Sequence, residues 1–314
     1  MTNADAEKLA NLYLSWNERR AANQNDPIVF LRTLFQEWEQ MSTEVPGVWY
    51  ETVDGPVTGI RAVPIGADET AAVLHVHGGG YIGGSSSSHR KFAGHLAKAI
   101  GVPAFAVDYR LAPEHKYPAQ LDDVRAAFEW LVAGGVSPSR IIVAGDSAGG
   151  ALATALALQL RDEGGAGPGA VVALSPYYDS EGLGDSFESN VSSDIMAGAR
   201  GRAGIHANVS MFIADESQRT SPYVTALRAD VTGLPPHFLT VGSGELLVDG
   251  VRRFGDMLRD SGIPVEVEVV PNMQHVFPLM AGTAPEADAT VRAAAEFVHT
   301  HVPPHQREVT NAPA

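Results

Sequence analysis

Ser147 lies in the segment RIIVAGDSAGGALA (140–153), between an apolar run and an alanine- and leucine-rich stretch, flanked by Gly145 and Gly149. A serine on a sharp strand-to-helix bend is lifted clear of its surroundings, and small flanking residues are needed because larger ones would strike neighbouring backbone. The helix that follows aims its N-terminal dipole and free N–H groups at the same point, which favours negative charge there. The pattern predicts a nucleophilic hydroxyl rather than an incidental turn serine. A second segment, LHVHGGGYIGGSSSSHR (74–90), puts consecutive glycines after a buried strand, where their N–H groups stay accessible. The N–H groups of Gly79, Gly80 and Ala148 are expected to form an oxyanion hole. A phosphate loop is disfavoured, because no Lys-Ser or Lys-Thr pair follows and GxGxxG is not met at the strand–helix junction.

Short β-branched runs alternating with helical patterns must position these residues. The expected strands are 71–77, 102–109, 140–147, 170–176, 236–243 and 264–272, with helices near 88–99, 119–134, 148–162, 247–261 and 285–300. A hairpin precedes them over 48–65, broken at Asp54-Gly55-Pro56. Continuous apolar strands joined by helical crossovers imply a parallel sheet covered on both faces, so the fold class is α/β, with an eight-stranded, mostly parallel sheet and an antiparallel start. Amphipathic helices are expected at 5–20 and 27–42, with Trp16, Phe30 and Trp38 on an inner face. The alternation lapses over 179–225, which is expected to be a helical insertion that forms a lid together with residues 1–45. That leaves 46–178 and 226–302 as the catalytic core, and a polar, proline-rich tail, 303–314, expected to be disordered.

The 314 residues include no cysteine, which excludes disulfides, thiolate nucleophiles and cysteine-held metals and fits a cytoplasmic protein. A formal charge of −15 argues against nucleic acid as a partner. No apolar run is long enough to span a membrane, and the acidic N-terminus lacks the layout of a secretory signal.

HGGG (77–80), DYRLAPEHKYPA (108–119), GDSAGG (145–150) and the stretch 220–249 together resemble the hormone-sensitive-lipase family of α/β-hydrolases, in its GDSAG branch. The resemblance covers most of residues 70–300 and implies an α/β-hydrolase fold with a two-part helical lid. Chain order in that fold is serine, acid, histidine, which makes His275, after the last strand, the general base. Two acids, Glu245 and Asp249, follow the seventh strand. Glu245 matches the family's acidic position with one extra methylene, while Asp249 also suits the first turn of a helix. The resemblance implies a cofactor-free, metal-free carboxylic ester hydrolase acting on short to medium acyl chains. GGSSSSHR and GELLVD also look like monoterpene ε-lactone hydrolases, so a lactone is the alternative substrate. A non-catalytic small-molecule receptor of the same fold is disfavoured because His275 is retained.

Tyr81, Tyr177, Met211 and Phe212 are expected to contact substrate, and His89 and Asp179 to join Tyr177 at the pocket mouth. His77 is assigned to orienting the glycine loop, and Asp108, Arg110 and Glu114 to a polar network that braces it. Helix 285–300 and the edge strand 264–272 offer surfaces for a homodimer.

Overall fold

Along Ile141–Ala144 and Ala170–Leu174 every residue is buried, and successive side chains enter opposite hydrophobic clusters. Ile141, Val143, Val171 and Ala173 face one side, while Ile142, Ala144, Val172 and Leu174 face the other. The two-residue period of an extended chain therefore places a core on each side of one sheet.

The computed structural model describes residues 6–23 and 26–302, and the tail expected to be disordered, 303–314, lies outside the described residues. Helices α1 (Ala6–Ala22) and α2 (Pro27–Phe35) come first, followed by the hairpin of β1 (Val48–Asp54) and β2 (Thr58–Pro64). The chain then alternates through β3 (Ala72–Val76), α3 (Ser86–Ile100), β4 (Ala104–Val107), α4 (Ala119–Ala133), β5 (Ile141–Asp146), α5 (Ala148–Asp162) and β6 (Ala170–Leu174). Short α6 (Ser186–Ser189) and α7 (Gly201–Phe212) precede β7 (His237–Gly242), α8 (Val248–Asp260), β8 (Val265–Val270) and α9 (Pro285–His301).

The strands form one sheet in the order β1-β2-β4-β3-β5-β6-β7-β8. The β1–β2 and β2–β4 pairings are antiparallel and the rest parallel, as expected for a mixed sheet with an antiparallel beginning. Leu121 and Phe128 of α4, Leu152 of α5 and Phe254 of α8 pack on one face; Phe92 of α3 and Val298 of α9 pack on the other. The strand order reverses at β3, which lies between β4 and β5. A crevice opens at such a switch point beyond the carboxyl ends of the strands, and the glycine loop and Ser147 both leave the sheet there.

Helix α3 starts at Ser86, ahead of the expected 88, because Ser85 and Ser88 form a reciprocal capping box. The serine run thus starts a helix rather than preceding one. The second N-terminal helix ends at Phe35 and tightens into a 3-10 turn over Gln36–Gln40. Within 179–225 the helical content is α6, α7 and a 3-10 turn over Glu216–Thr220, the remainder being turns. Asn17 of α1 donates to the Ile195 carbonyl at 2.7 Å, so the N-terminal helix and this insertion are in contact.

Candidate active site

Ser147 follows the last residue of β5 and has φ 52° and ψ −119°, a conformation that an L-residue holds only where its surroundings force it. It stands where a helix N-cap would, yet its side chain makes no capping bond. The hydroxyl is free to point elsewhere, and Oγ lies 2.9 Å from Nε2 of His275. The bend requires glycine at 149, since a Cβ there would sit 2.0 Å from the Val76 carbonyl oxygen. Helix α5 therefore starts hard against the end of β3.

His275 sits in the loop after β8, between Asn272 (φ 61°) and Val276 (φ 54°). Its Nδ1 lies 2.7 Å from Oε2 of Glu245. A carboxylate accepts only, so Nδ1 carries the proton and Nε2 is left to accept from Ser147. The other carboxylate oxygen, Oε1, accepts from the Gly242 N–H at 2.6 Å and from the Ser175 hydroxyl at 2.7 Å. Burial pulls the His275 imidazole down, but the charge and hydrogen bond of Glu245, with smaller contributions from Asp194 and Asp146, outweigh it and hold the pKa above the usual histidine value.

Of the two candidate acids, the fold brings Glu245 to the histidine. Asp249 lies in the first turn of α8, accepts from the Ser186 N–H at 2.8 Å and faces Arg252 at 3.7 Å.

The glycine loop lies opposite. Gly79 and Gly80 have φ 115° and 62°, and among the described residues the N–H groups of Gly79, Gly80 and Ala148 make no hydrogen bond. Asp146, next to Ser147, accepts from the Gly78 N–H at 3.0 Å and so ties this loop to the serine bend. A Cβ at Gly78 would come within 2.1 Å of Asp146 Oδ2. His77 bonds through Nδ1 to the Gly78 carbonyl at 2.8 Å and stacks on Tyr109 at 4.2 Å. Burial lowers its pKa to about 4, so near neutral pH the ring is uncharged and Nδ1 is the donor.

The three polar residues expected to brace the loop act separately. Asp108 accepts from the N–H and hydroxyl of Ser86 and holds the start of α3. Glu114 pairs with Arg32, which also donates to the Ile82 and Ala112 carbonyls. Arg110 instead grips Asp123, away from the loop.

A cavity of about 80 Å³ opens onto Ser147 and His275. Leu31 and Phe35 of α2, Met196, Ile205 and Asn208 of the insertion, and Tyr177 wall it. Of the expected substrate contacts, Tyr177 thus reaches the cavity. Tyr81, Met211 and Phe212 do not: Tyr81 is 2% exposed and stacks on Phe212 at 3.8 Å, so the two rings bury each other behind the wall. Met211 packs, partly buried, into a hydrophobic cluster. His89 and Asp179 are not at the mouth either. His89 is buried 3.2 Å from Asp146, and Asp179 accepts from the Leu183 and Gly184 N–H groups. Phe30 lines a separate outer pocket, while Trp16 and Trp38 are buried.

Sequence reasoning missed Ser175, Asn208 and Tyr13. Tyr13 of α1 donates to the His275 carbonyl at 2.8 Å and accepts from the Trp38 indole N–H at 3.1 Å. Only the amphipathic spacing of α1 marked Tyr13, and that spacing does not say what its hydroxyl meets. Tyr13→Phe should lower unfolding stability by about 1–3 kcal/mol, since it strands a buried donor and a buried acceptor, and urea titration would measure the loss.

The sequence matches the alpha/beta hydrolase fold family over residues 73–279. It is 32% identical over 243 residues to an esterase of Acinetobacter venetianus, covering 77% of this chain and 79% of that one. Carboxylesterase NlhH of Mycobacterium tuberculosis is 36% identical over 247 residues, 74% of each chain. Among solved structures, an esterase from the bacterial hormone-sensitive lipase family superposes with a TM-score of 0.88 at 30% identity, covering 96% of this chain and 99% of that one. The chain belongs to the alpha/beta hydrolase family, alongside the bacterial hormone-sensitive lipase esterases that its HGGG and GDSAGG segments resemble.

Proposed function

We propose that the protein is a serine carboxylic ester hydrolase. The observation that carries this reading is the unbroken chain of contacts from Glu245 to His275 (2.7 Å) and from His275 to Ser147 Oγ (2.9 Å), which ends at a cavity lined by Gly79 and Gly80. Ser147 Oγ attacks the ester carbonyl while its proton passes to His275 Nε2. The carbonyl oxygen takes up negative charge and receives hydrogen bonds from Gly79, Gly80 and Ala148. Collapse of the tetrahedral intermediate expels the alcohol, which takes the proton from His275 and leaves an acyl-serine. Water then attacks with His275 as base, releasing the acid and restoring the hydroxyl.

The cavity of about 80 Å³, with Leu31, Phe35, Met196 and Ile205 in its wall, supports short to medium acyl esters as substrates. The described residues of segments 1–45 and 179–225 serve as its cover, a role supported by Leu31, Phe35, Met196 and Ile205 in the cavity wall. No described helix is long and apolar enough to cross a membrane. A chain without cysteine suits the reducing cytoplasm, and the outer edge of β8 would suit pairing with a second copy.

The test is labelling with a fluorophosphonate probe followed by peptide mapping, alongside hydrolysis of p-nitrophenyl butyrate and of an ε-lactone. Modification at Ser147 with turnover of the butyrate is expected. Labelling elsewhere would remove the assignment, and faster turnover of the lactone would move the substrate class to cyclic esters.

A further inference from the structure

Arginines in the cover tend to be engaged by acids close at hand. Arg19 pairs with Glu37 at 2.8 Å and Arg202 with Glu188 at 3.1 Å. Arg20 and Arg200 differ from these near neighbours: among the described residues neither makes an ion pair or a side-chain hydrogen bond. Both line an outer pocket of about 400 Å³, together with Asn17 and Phe30. Leu31 and Arg200 also belong to the wall of the cavity at Ser147, so the outer pocket adjoins the catalytic one.

The two guanidinium groups are near enough to repel. Arg200 is exposed, yet the protein packed around its guanidinium lowers its pKa to about 10, and the charge of Arg20 adds to that. It remains a cation at neutral pH. The acid in the inner wall, Asp194, attracts it through space but makes no ion pair with it. Its Oδ1 accepts from the Ala197 N–H at 2.8 Å and its Oδ2 from the Leu246 N–H at 2.9 Å. Among the described residues no acid lines the outer pocket. Two cations that make no ion pair among the described residues, at the approach to the cavity, stand out in a chain whose formal charge is −15, because the global field repels anions and any attraction must be local.

We propose that Arg20 and Arg200 form an anion subsite, so that the preferred ester carries a carboxylate at the end remote from its scissile carbonyl. Planar guanidinium groups match a carboxylate in charge and in fork geometry, and a carboxylate between them replaces their mutual repulsion with two attractions. The scissile carbonyl occupies the inner cavity at Ser147 while the charged end stays in the wider outer pocket.

The inference rests on the ester-hydrolase reading, and its test separates the two. Rates are compared for monoethyl esters of the dicarboxylic acids from succinic to sebacic and for neutral ethyl esters of matched length. A second arm uses acetyl esters of ω-hydroxy acids, which carry the carboxylate on the alcohol side. The native enzyme should prefer an acidic ester over its neutral counterpart at one or more lengths in at least one arm, and raised salt should erode that preference. In Arg20→Gln and Arg200→Gln the ratio of acidic to neutral kcat/KM should fall by about tenfold, the effect of losing one charge-assisted hydrogen bond. Preference for the neutral ester at every length in both arms, or an unchanged ratio in both variants, overturns the anion subsite while leaving the hydrolase intact. Failure of the native enzyme to hydrolyse any ester removes both.

Discussion

Ser147→Ala should reduce turnover of a short-chain ester by about 10⁴- to 10⁶-fold and leave the melting temperature close to that of the parent protein. The size of the loss follows from the proposed covalent route. Without Oγ there is no acyl-serine, and what remains is the contribution of the N–H cradle and of substrate binding. Folding should survive because Ser147 Oγ makes no capping bond and its side-chain hydrogen bond is to His275. A second substitution separates chemistry from strain. At φ 52° and ψ −119°, residue 147 lies in a region that glycine enters more readily than any L-residue. Ser147→Gly should therefore be equally inactive yet melt no lower than Ser147→Ala, despite the loss of a Cβ. Steady-state kinetics and thermal denaturation of the two variants read both effects. Residual turnover above about one per cent in either variant would show that Ser147 is not the nucleophile.

How much of this site was legible beforehand depended on how local its cause was. Ser147 stood out because its bend is built from adjacent residues, and the glycine loop because consecutive glycines after a strand have few other uses. His275 is legible from the chain order of the family that the HGGG and GDSAGG segments resemble. The strands were legible because they are apolar on both faces, from Ile141 through Ala144 for example. Contacts between distant positions were not. Tyr13 and His275 lie 262 positions apart, and nothing in the composition of α1 marks one tyrosine for a hydroxyl contact. Ser175, with φ 47°, supports both Glu245 and the Val276 N–H, yet in sequence it is a serine at a strand end.

Tyr81, Met211 and Phe212, unlike Tyr177, lie off the cavity for a different reason. Tyr81 and Phe212 have the size and polarity of pocket residues, but each covers the other, and mutual burial of two rings competes with facing a cavity. The wall comes instead from Leu31 on α2, Met196 in a turn, and Ile205 and Asn208 three positions apart on α7, a helix whose mixed composition, with Gly201 and Gly204 in its first turn, does not mark which face meets the cavity. The acid was ambiguous because Glu245 and Asp249 are one helical turn apart. Three-dimensional context separates them: β7 ends at Gly242, and Glu245 turns back over that end to reach His275, while Asp249 is carried into α8.

Glu245→Gln should therefore produce the second large loss, about 10³- to 10⁴-fold in kcat. The reason is a conflict of donors. Glu245 uses Oε1 to accept from Gly242 and Ser175 and Oε2 to accept from His275. Glutamine has a single acceptor oxygen. With that oxygen toward Gly242 and Ser175, the amide NH₂ faces Nδ1 and selects the imidazole tautomer whose proton sits on Nε2, where it points at Ser147 and cannot accept. With the oxygen toward His275, the NH₂ meets the Gly242 N–H donor to donor. The pH profile supplies an independent sign. Burial alone lowers the His275 pKa, and the negative charge of Glu245 outweighs it. Because the neutral imidazole is the working base, kcat/KM of the native enzyme should fall with decreasing pH through a value above the ordinary histidine pKa of about 6.5. In Glu245→Gln the burial remains and the charge is gone, so the acid limb of the residual activity should move to lower pH. Asp249→Asn should leave that limb in place and act mainly on stability, through its contacts with Ser186 and Arg252. An acid limb that stays put in Glu245→Gln, or a larger kinetic loss in Asp249→Asn, would transfer the orienting role away from Glu245.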